Sequence, residues 1–308
     1  MIRICGFYDR TFSDLGSQLM LASELKDRYI CVENIAGIPI VDVSIEDFEE
    51  ACIPVLQSEN ARVIMLGTNL GNFPVDNEQK YVEHTEKLLK VIAMAEQSGA
   101  KAIRVYPFTA ANGQSAEVSF YPFFLKFRNW IKLAAAKGIM LAFENLKGTL
   151  GESGFQCKMI HKTLKDDNCK FIFNIGSFYK AGLNPLEELK EAACSVDSIA
   201  VCDVNRKCQE MPLGLGECKV KEILNQAIEG GFDGKIILYP DTAAYSSLRR
   251  KLYFNPVLKL IFKSKVELFK KIDKRFGYTR HDIVSKNDVC RAQHQLLSDM
   301  IADSLKRE

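Results

Sequence analysis

The stretch Ile139-Met-Leu-Ala-Phe-Glu-Asn145 is an apolar run that ends in an acid and an amide. Three later runs have the same form: Lys170-Phe-Ile-Phe-Asn174, Ser198-Ile-Ala-Val-Cys-Asp203 and Lys235-Ile-Ile-Leu-Tyr239. Short continuous apolar runs of this kind read as strands buried on both faces, as in parallel sheets. Segments with helical spacing stand between and after them, at 154–164, 185–193 and 220–229. Asn184 caps the second of these and Pro185 takes its first position, where a missing N–H costs nothing. Strand followed by helix, repeated, predicts βαβ units.

The pattern extends toward the amino terminus. Strands are predicted at 2–8, 30–35, 62–67 and 102–106, and helices at 15–27, 44–57, 78–98 and 121–137. Ser44 is a candidate cap with Glu46 and Asp47 in the first turn, and Gly138 stops the fourth helix. Eight strands, each of the first seven followed by a helix, predict an α/β chain closed as a (β/α)8 TIM barrel over residues 1–308, a single domain. A doubly wound sheet is the competing architecture. It calls for a glycine-rich phosphate turn after an early strand, and the sequence has none.

Bulk properties agree. The 308 residues are 47% hydrophobic and 26% charged, which excludes global disorder. A net charge of +2 gives no whole-chain case for binding nucleic acid or an anionic membrane. No apolar run approaches the ~20 residues that span a bilayer. The first residues enter a strand directly, so no secretory signal is expected. Ten cysteines without a CxxC pair favour free thiols and a cytoplasmic location. Cys202, Cys208 and Cys218 fall in one region, but their spacing is irregular and no histidine lies near.

The tail differs in character. Between residues 249 and 280 there are eleven Lys or Arg against two acids, interleaved with Leu, Ile, Phe and Tyr. A basic amphipathic helix is predicted at 257–269 and a further helix at 286–306. If the last helix closes the barrel, residues 242–285 are an insertion that emerges at the catalytic face; otherwise the last helix is an appendage. Leu258, Ile261, Phe262 and Phe269 are candidates for a homodimer contact. A solvated face, or a lid over an anionic substrate, is the alternative.

Barrel chemistry sits where strands end. Glu144 is the candidate base, because enclosure in a barrel mouth favours proton transfer by a carboxylate. Glu217 is a candidate partner, against the plainer role of an acid near a helix start. Glu33, Asn69, Asn174 and Tyr239 stand at strand ends as candidate hydroxyl-binding groups. Arg104 and Arg206 are candidate grips for a phosphate or carboxylate. Glu144, Asp203 and Asp241, with Asn174, are a candidate oxygen-only metal site; the two aspartates alternatively cap loops or form ion pairs. The four histidines, His84, His161, His281 and His294, fall in helices or the tail and read as packing or surface residues.

The order Phe143-Glu-Asn145, Asn174-Ile-Gly-Ser177, Ile199-Ala-Val-Cys-Asp203, Gly214-Leu-Gly-Glu217 and Gly230-Gly-Phe-Asp-Gly234 resembles the xylose isomerase-like barrels. That family includes sugar isomerases, sugar epimerases and related apurinic endonucleases. The likeness is clear over residues 95–241, with Gly214–Glu217 and Gly230–Gly234 its most specific parts. It implies a divalent metal, Mn or Mg, held by four residues. Glu144 matches the first ligand; the other three positions carry Asn174, Ala200 and Tyr239, and Ser177 stands where a nearby histidine is expected. The resemblance therefore implies an isomerase or epimerase of a small sugar or sugar phosphate, with a degenerate metal site. A metal-free, non-catalytic barrel that binds a carbohydrate or a protein partner is the alternative. Apurinic endonuclease activity, which needs a histidine- and carboxylate-rich cluster for several metal ions, and nucleic-acid binding are not expected.

Overall fold

A computed structural model describes residues 2–58, 62–240 and 242–306. Eight strands form the inner wall. They are β1 (Arg3–Gly6), β2 (Tyr29–Val32), β3 (Arg62–Gly67), β4 (Ala102–Val105), β5 (Met140–Glu144), β6 (Cys169–Asn174), β7 (Ser198–Val201) and β8 (Lys235–Leu238). All pairings in this sheet are parallel, in the order β1-β8-β7-β6-β5-β4-β3-β2. A parallel bridge between Phe7 and Cys31 brings β1 to β2 and closes the ring.

The outer layer is helical. It comprises α1 (Leu15–Glu24), α2 (Ile45–Ser58), α3 (Glu78–Ser98), α4 (Ala116–Ala135), α5 (Gly154–Leu164), α6 (Ile175–Lys180), α7 (Pro185–Ala192) and α8 (Val220–Glu229). The apolar strands are explained by this double burial. Outward Phe143 and Phe171 stack with centroids 4.9 Å apart, and Phe143 meets Phe127 of α4 edge-on. Inward positions alternate with these, so Ala142 and Glu144 face the barrel axis.

Two helical expectations are corrected. The helix expected at 121–137 begins at Ala116, because Ser115 is extended at the cap and Pro122 is carried inside the helix rather than at its start. Pro122 gives up one helical hydrogen bond there. The helix expected at 257–269 is two helices. Asn255 accepts from the backbone N–H groups of Val257 and Leu258 to cap α10 (Pro256–Ile261), and Phe262 leaves helical geometry before α11 (Lys263–Phe276). A further helix, α9 (Tyr245–Phe254), precedes them.

The last helix, α12 (Lys286–Leu305), lies between α1 and α8. Arg291 and His294 reach Glu24 and Asp27 on one side, while Asp303 pairs with Lys221 on the other. Cys290, Leu297, Met300 and Ile301 join the barrel core. Helices α9–α11 instead share a second core, built on Tyr245, Leu252, Val266 and Phe269 and reaching Met211 and Leu215 of the β7–α8 loop. Phe269 is fully buried in it. Burial removes Phe269 from the expected dimer contact, whereas Ile261 and Phe262 are exposed and Leu258 is half-buried.

Candidate functional site

The strand ends at the carboxyl face of the barrel carry a connected polar network. Its centre is Arg104, which β4 projects inward and which is only 1% exposed. Nη1 donates to the Tyr239 hydroxyl at 2.8 Å. Nη2 donates to Glu33 at 2.7 Å and to the Thr68 carbonyl at 2.9 Å. The guanidinium also faces the rings of Tyr106 (5.1 Å) and Phe7 (5.4 Å).

Tyr239 passes the interaction on. Its hydroxyl donates to Glu144 Oε2 at 2.9 Å, and Arg104 Nη1 stands 3.7 Å from the same oxygen. Asn174 Nδ2 donates to Glu144 Oε1 at 2.7 Å. Asn174 is fixed in turn: its N–H donates to Asn145 Oδ1, and its own side-chain oxygen accepts from Ser177 N–H at the start of α6. Glu144 is 2% exposed, and both carboxylate oxygens are engaged. A buried charge is tolerated when it is paired and hydrogen-bonded in this way.

The electrostatics follow from the packing. Burial opposes charge on Arg104, but the tyrosines 106 and 239 and the carboxylates of Glu33 and Glu144 raise its pKa well above the ordinary value. Burial, aided by Glu144 and opposed by Arg104, likewise raises the Tyr239 phenol. The phenol stays protonated and serves as donor and acceptor at once. Gly67 makes room for this arrangement: a Cβ there would stand 2.7 Å from the Phe7 ring and 3.1 Å from the Cβ of Glu33.

A second tier surrounds the network. Arg10 lies over the Tyr239 ring at 4.8 Å and pairs with Glu210 at 2.6 Å, and Lys180 pairs with Glu210 at 2.7 Å. Asp9 accepts from the backbone and side-chain nitrogens of Asn34, and burial raises its pKa. Sequence reading did not single out Arg10, Tyr106, Lys180 or Glu210. Tyr106 was accessible in principle, because it lies two residues beyond Arg104 on the same inward face. Arg10 and Glu210 meet only across the closed ring.

The other sequence candidates take different places around this network. Glu217 is partly exposed and faces Lys265 of α11 at 3.4 Å. Asn69 and Arg206 are exposed on loops. Arg104 itself lies beneath the mouth with Nη1 and Nη2 engaged by internal partners, not at the rim as a phosphate grip would be. Asp203 is a loop anchor: its carboxylate accepts from four backbone N–H groups, those of Val204, Gly214, Gly216 and Cys218. A Cβ on Gly216 would come within 2.0 Å of Asp203 Oδ1, so the loop can wrap the carboxylate only as glycine. Asp241 lies outside the described residues.

The described residues do not fit a divalent metal at this place. Glu144 already accepts from two donors, Asn174 and Tyr239 act as those donors, and Ala200 has no ligating atom. The Arg104 guanidinium supplies the positive charge, and a dication beside it would meet repulsion without an unshared carboxylate. Among the described residues no three His, Cys, Asp or Glu side chains are grouped to hold a metal. No described helix is long and apolar enough to cross a membrane.

An eight-stranded parallel barrel with polar side chains converging at the carboxyl ends of its strands defines the class. The family model for the xylose isomerase-like TIM barrel matches residues 26–251, and the chain belongs to that family. Solved structures of similar fold include an IolI protein with a bound zinc atom (TM-score 0.70, 14% identity, covering 98% of this chain and 99% of that one). A D-tagatose 3-epimerase-like protein is similar at TM-score 0.69 and 14% identity, covering 99% of each chain. An L-ribulose 3-epimerase is similar at TM-score 0.68 and 12% identity, covering 100% of this chain and 97% of that one. A family member from Mycobacterium smegmatis in complex with magnesium matches at TM-score 0.60 and 13% identity, covering 97% and 96%. No curated protein sequence matches the chain.

Proposed function

We propose that the chain is a metal-independent isomerase or epimerase of a small sugar or sugar phosphate, with Arg104 in the role of the family's cation. The observation that carries this reading is the buried Arg104 guanidinium between two carboxylates, Glu33 and Glu144, and joined to Tyr239. The epimerase-like neighbours support the substrate class.

In this reading substrate binding turns the Tyr239 hydroxyl and Arg104 Nη1 from their present partners to the substrate carbonyl oxygen, which frees Glu144 Oε2 to act as the base. Glu144 removes the proton from the carbon beside the carbonyl, and the electron pair moves onto the oxygen as an enediolate. Preorganised donors favour that developing charge. Return of the proton to the other face gives an epimer, and return to the neighbouring carbon gives an isomer. Glu33, on the far side of Arg104, is better placed than Glu217 to supply the second proton-transfer group.

A second reading has one specific support. Both oxygens of Glu144 are already taken by donors, which suits a rigid binding mouth without catalysis. Incubating the protein with ketoses, aldoses and their phosphates in D2O, with chelator present, separates the two. Deuterium should enter the carbon beside the carbonyl, and Glu144→Gln should slow entry at least 100-fold while binding by calorimetry persists. Sugar binding without exchange across the panel favours the binding protein. Exchange that stops with chelator and returns with Mn2+ sinks the metal-free mechanism.

A further inference from the structure

The opposite end of the barrel holds a cavity of 700 Å3 that the mouth chemistry does not use. Pockets of about 300–1,000 Å3 are typical of small-molecule sites. Strand alternation sorts its lining into two levels. Cys5, Cys31, Met65, Ala142, Ile172 and Ile237 form a buried, apolar floor. At the outer level stand five cations, Arg3, Arg62, Lys101, Lys170 and Lys235, against two acids, Asp197 and Asp233.

Space exists there for a definite reason. Barrel interiors are ordinarily filled by bulky branched side chains. The adjacent strands β4 and β5 contribute Ala102 and Ala142 instead. The charge imbalance is equally definite. Asp197 is occupied by the Phe171 N–H (2.8 Å), by His161 (3.4 Å) and by Lys170 (3.6 Å). Among the described residues Arg3, Arg62, Lys101 and Lys235 have no carboxylate within ion-pair distance, and Arg3, Arg62 and Lys101 are exposed. Stems of such side chains cover apolar surface while their heads remain in water.

We infer that this amino-terminal face of the barrel is a second ligand site, for a small anion with an aliphatic tail, its carboxylate or phosphate head on the cationic rim and its tail on the apolar floor. A sugar would find few hydroxyl partners on that floor. An inorganic anion would use the rim alone and leave the floor unfilled. The site is separate from the Arg104–Glu144 layer, which stands two residues further along the same strands.

The test is calorimetric titration of the intact protein with octyl phosphate, octanoate, octanol and inorganic phosphate, below micelle-forming concentrations. One equivalent of octyl phosphate or octanoate should bind at least tenfold more tightly than octanol and than inorganic phosphate. The tighter of the two names the head group, and either supports the site. Ala142→Leu, which fills the floor, and the exposed rim pair Arg62→Gln with Lys101→Gln should each weaken binding at least tenfold. The rim pair lies at the surface, so its thermal midpoint should match the parent and its result does not depend on core repacking. Octanol binding as tightly as octyl phosphate, affinity unchanged in both variants, or affinity lost in Glu144→Gln would each overturn the inference.

Discussion

Arg104 places a permanent charge where the interior has almost no water. Such a charge is held only by partners with matching geometry, and here Glu33, Thr68 and Tyr239 supply them. Arg104→Met leaves Glu144 and half-buried Glu33 without their counter-charge. Breaking a buried pair by removing one partner costs about 3–5 kcal/mol, and urea denaturation should show a loss of that size. Arg104→Met with Glu144→Gln should recover part of it, because the double change removes both sides of one pair. A loss below about 1 kcal/mol in the single variant would show that the network holds little of the fold together. The position of Glu144 could be read from its strand, since apolar runs end where chemistry begins. Its partners could not. Arg104 and Tyr239 are 135 residues apart in sequence, and only closure of the ring brings β4 opposite β8.

Loops between strands and helices set the mouth, and two of them make distinct predictions. Gly216→Ala should destabilise by about 1–3 kcal/mol through overpacking, because the new methyl meets Asp203; a thermal midpoint unchanged from the parent would mean that the loop yields. The β3–α3 loop depends on His84, whose Nδ1 accepts from the Gly71 N–H at 3.3 Å, and burial lowers the His84 pKa. The sign follows directly. A histidine whose folded pKa is depressed contributes stability that is full above its unfolded value, about 6.5, and is lost as pH falls through the lower folded value. Hydrogen exchange at the Gly71 amide should therefore lose protection on acidification below about pH 6.5, and His84→Leu should remove that pH dependence. Helix positions were largely legible because amphipathic spacing is local. The split at Phe262 was not, because it follows from burial of Val266 and Phe269 in a second core, and burial is not written in spacing. Asp203 stays open in the sequence between metal ligand and loop cap for the same reason: a loop carboxylate looks alike whether it faces a metal or the four amides it accepts from here.

At the scale of the whole molecule, two cores meet at the β7–α8 loop. Met211 and Leu215 of that loop pack into the α9–α11 core, and Lys265 of α11 donates to the Leu215 carbonyl at 2.6 Å. The same loop carries Glu210, which holds Arg10 over Tyr239. A chain of contacts thus runs from the helices after β8 to the barrel mouth. Its remote end is a buried pair: Arg249 donates to Asp273 through Nε and Nη2, both at 2.9 Å, and to the carbonyls of Asp282 and Thr279. Arg249→Met should loosen α9–α11 by about 3–5 kcal/mol while leaving the barrel core, which shares none of these side chains, with its own transition. Hydrogen exchange should then show lost protection across α9–α11 and the 203–218 loop but not in β3–β6. Affinity for the sugar proposed as ligand of the mouth should fall severalfold, since Glu210 is no longer held against Arg10. Even loss of protection over every strand would show one cooperative unit instead. Unchanged affinity with loosened helices would show that the mouth is set by the barrel alone.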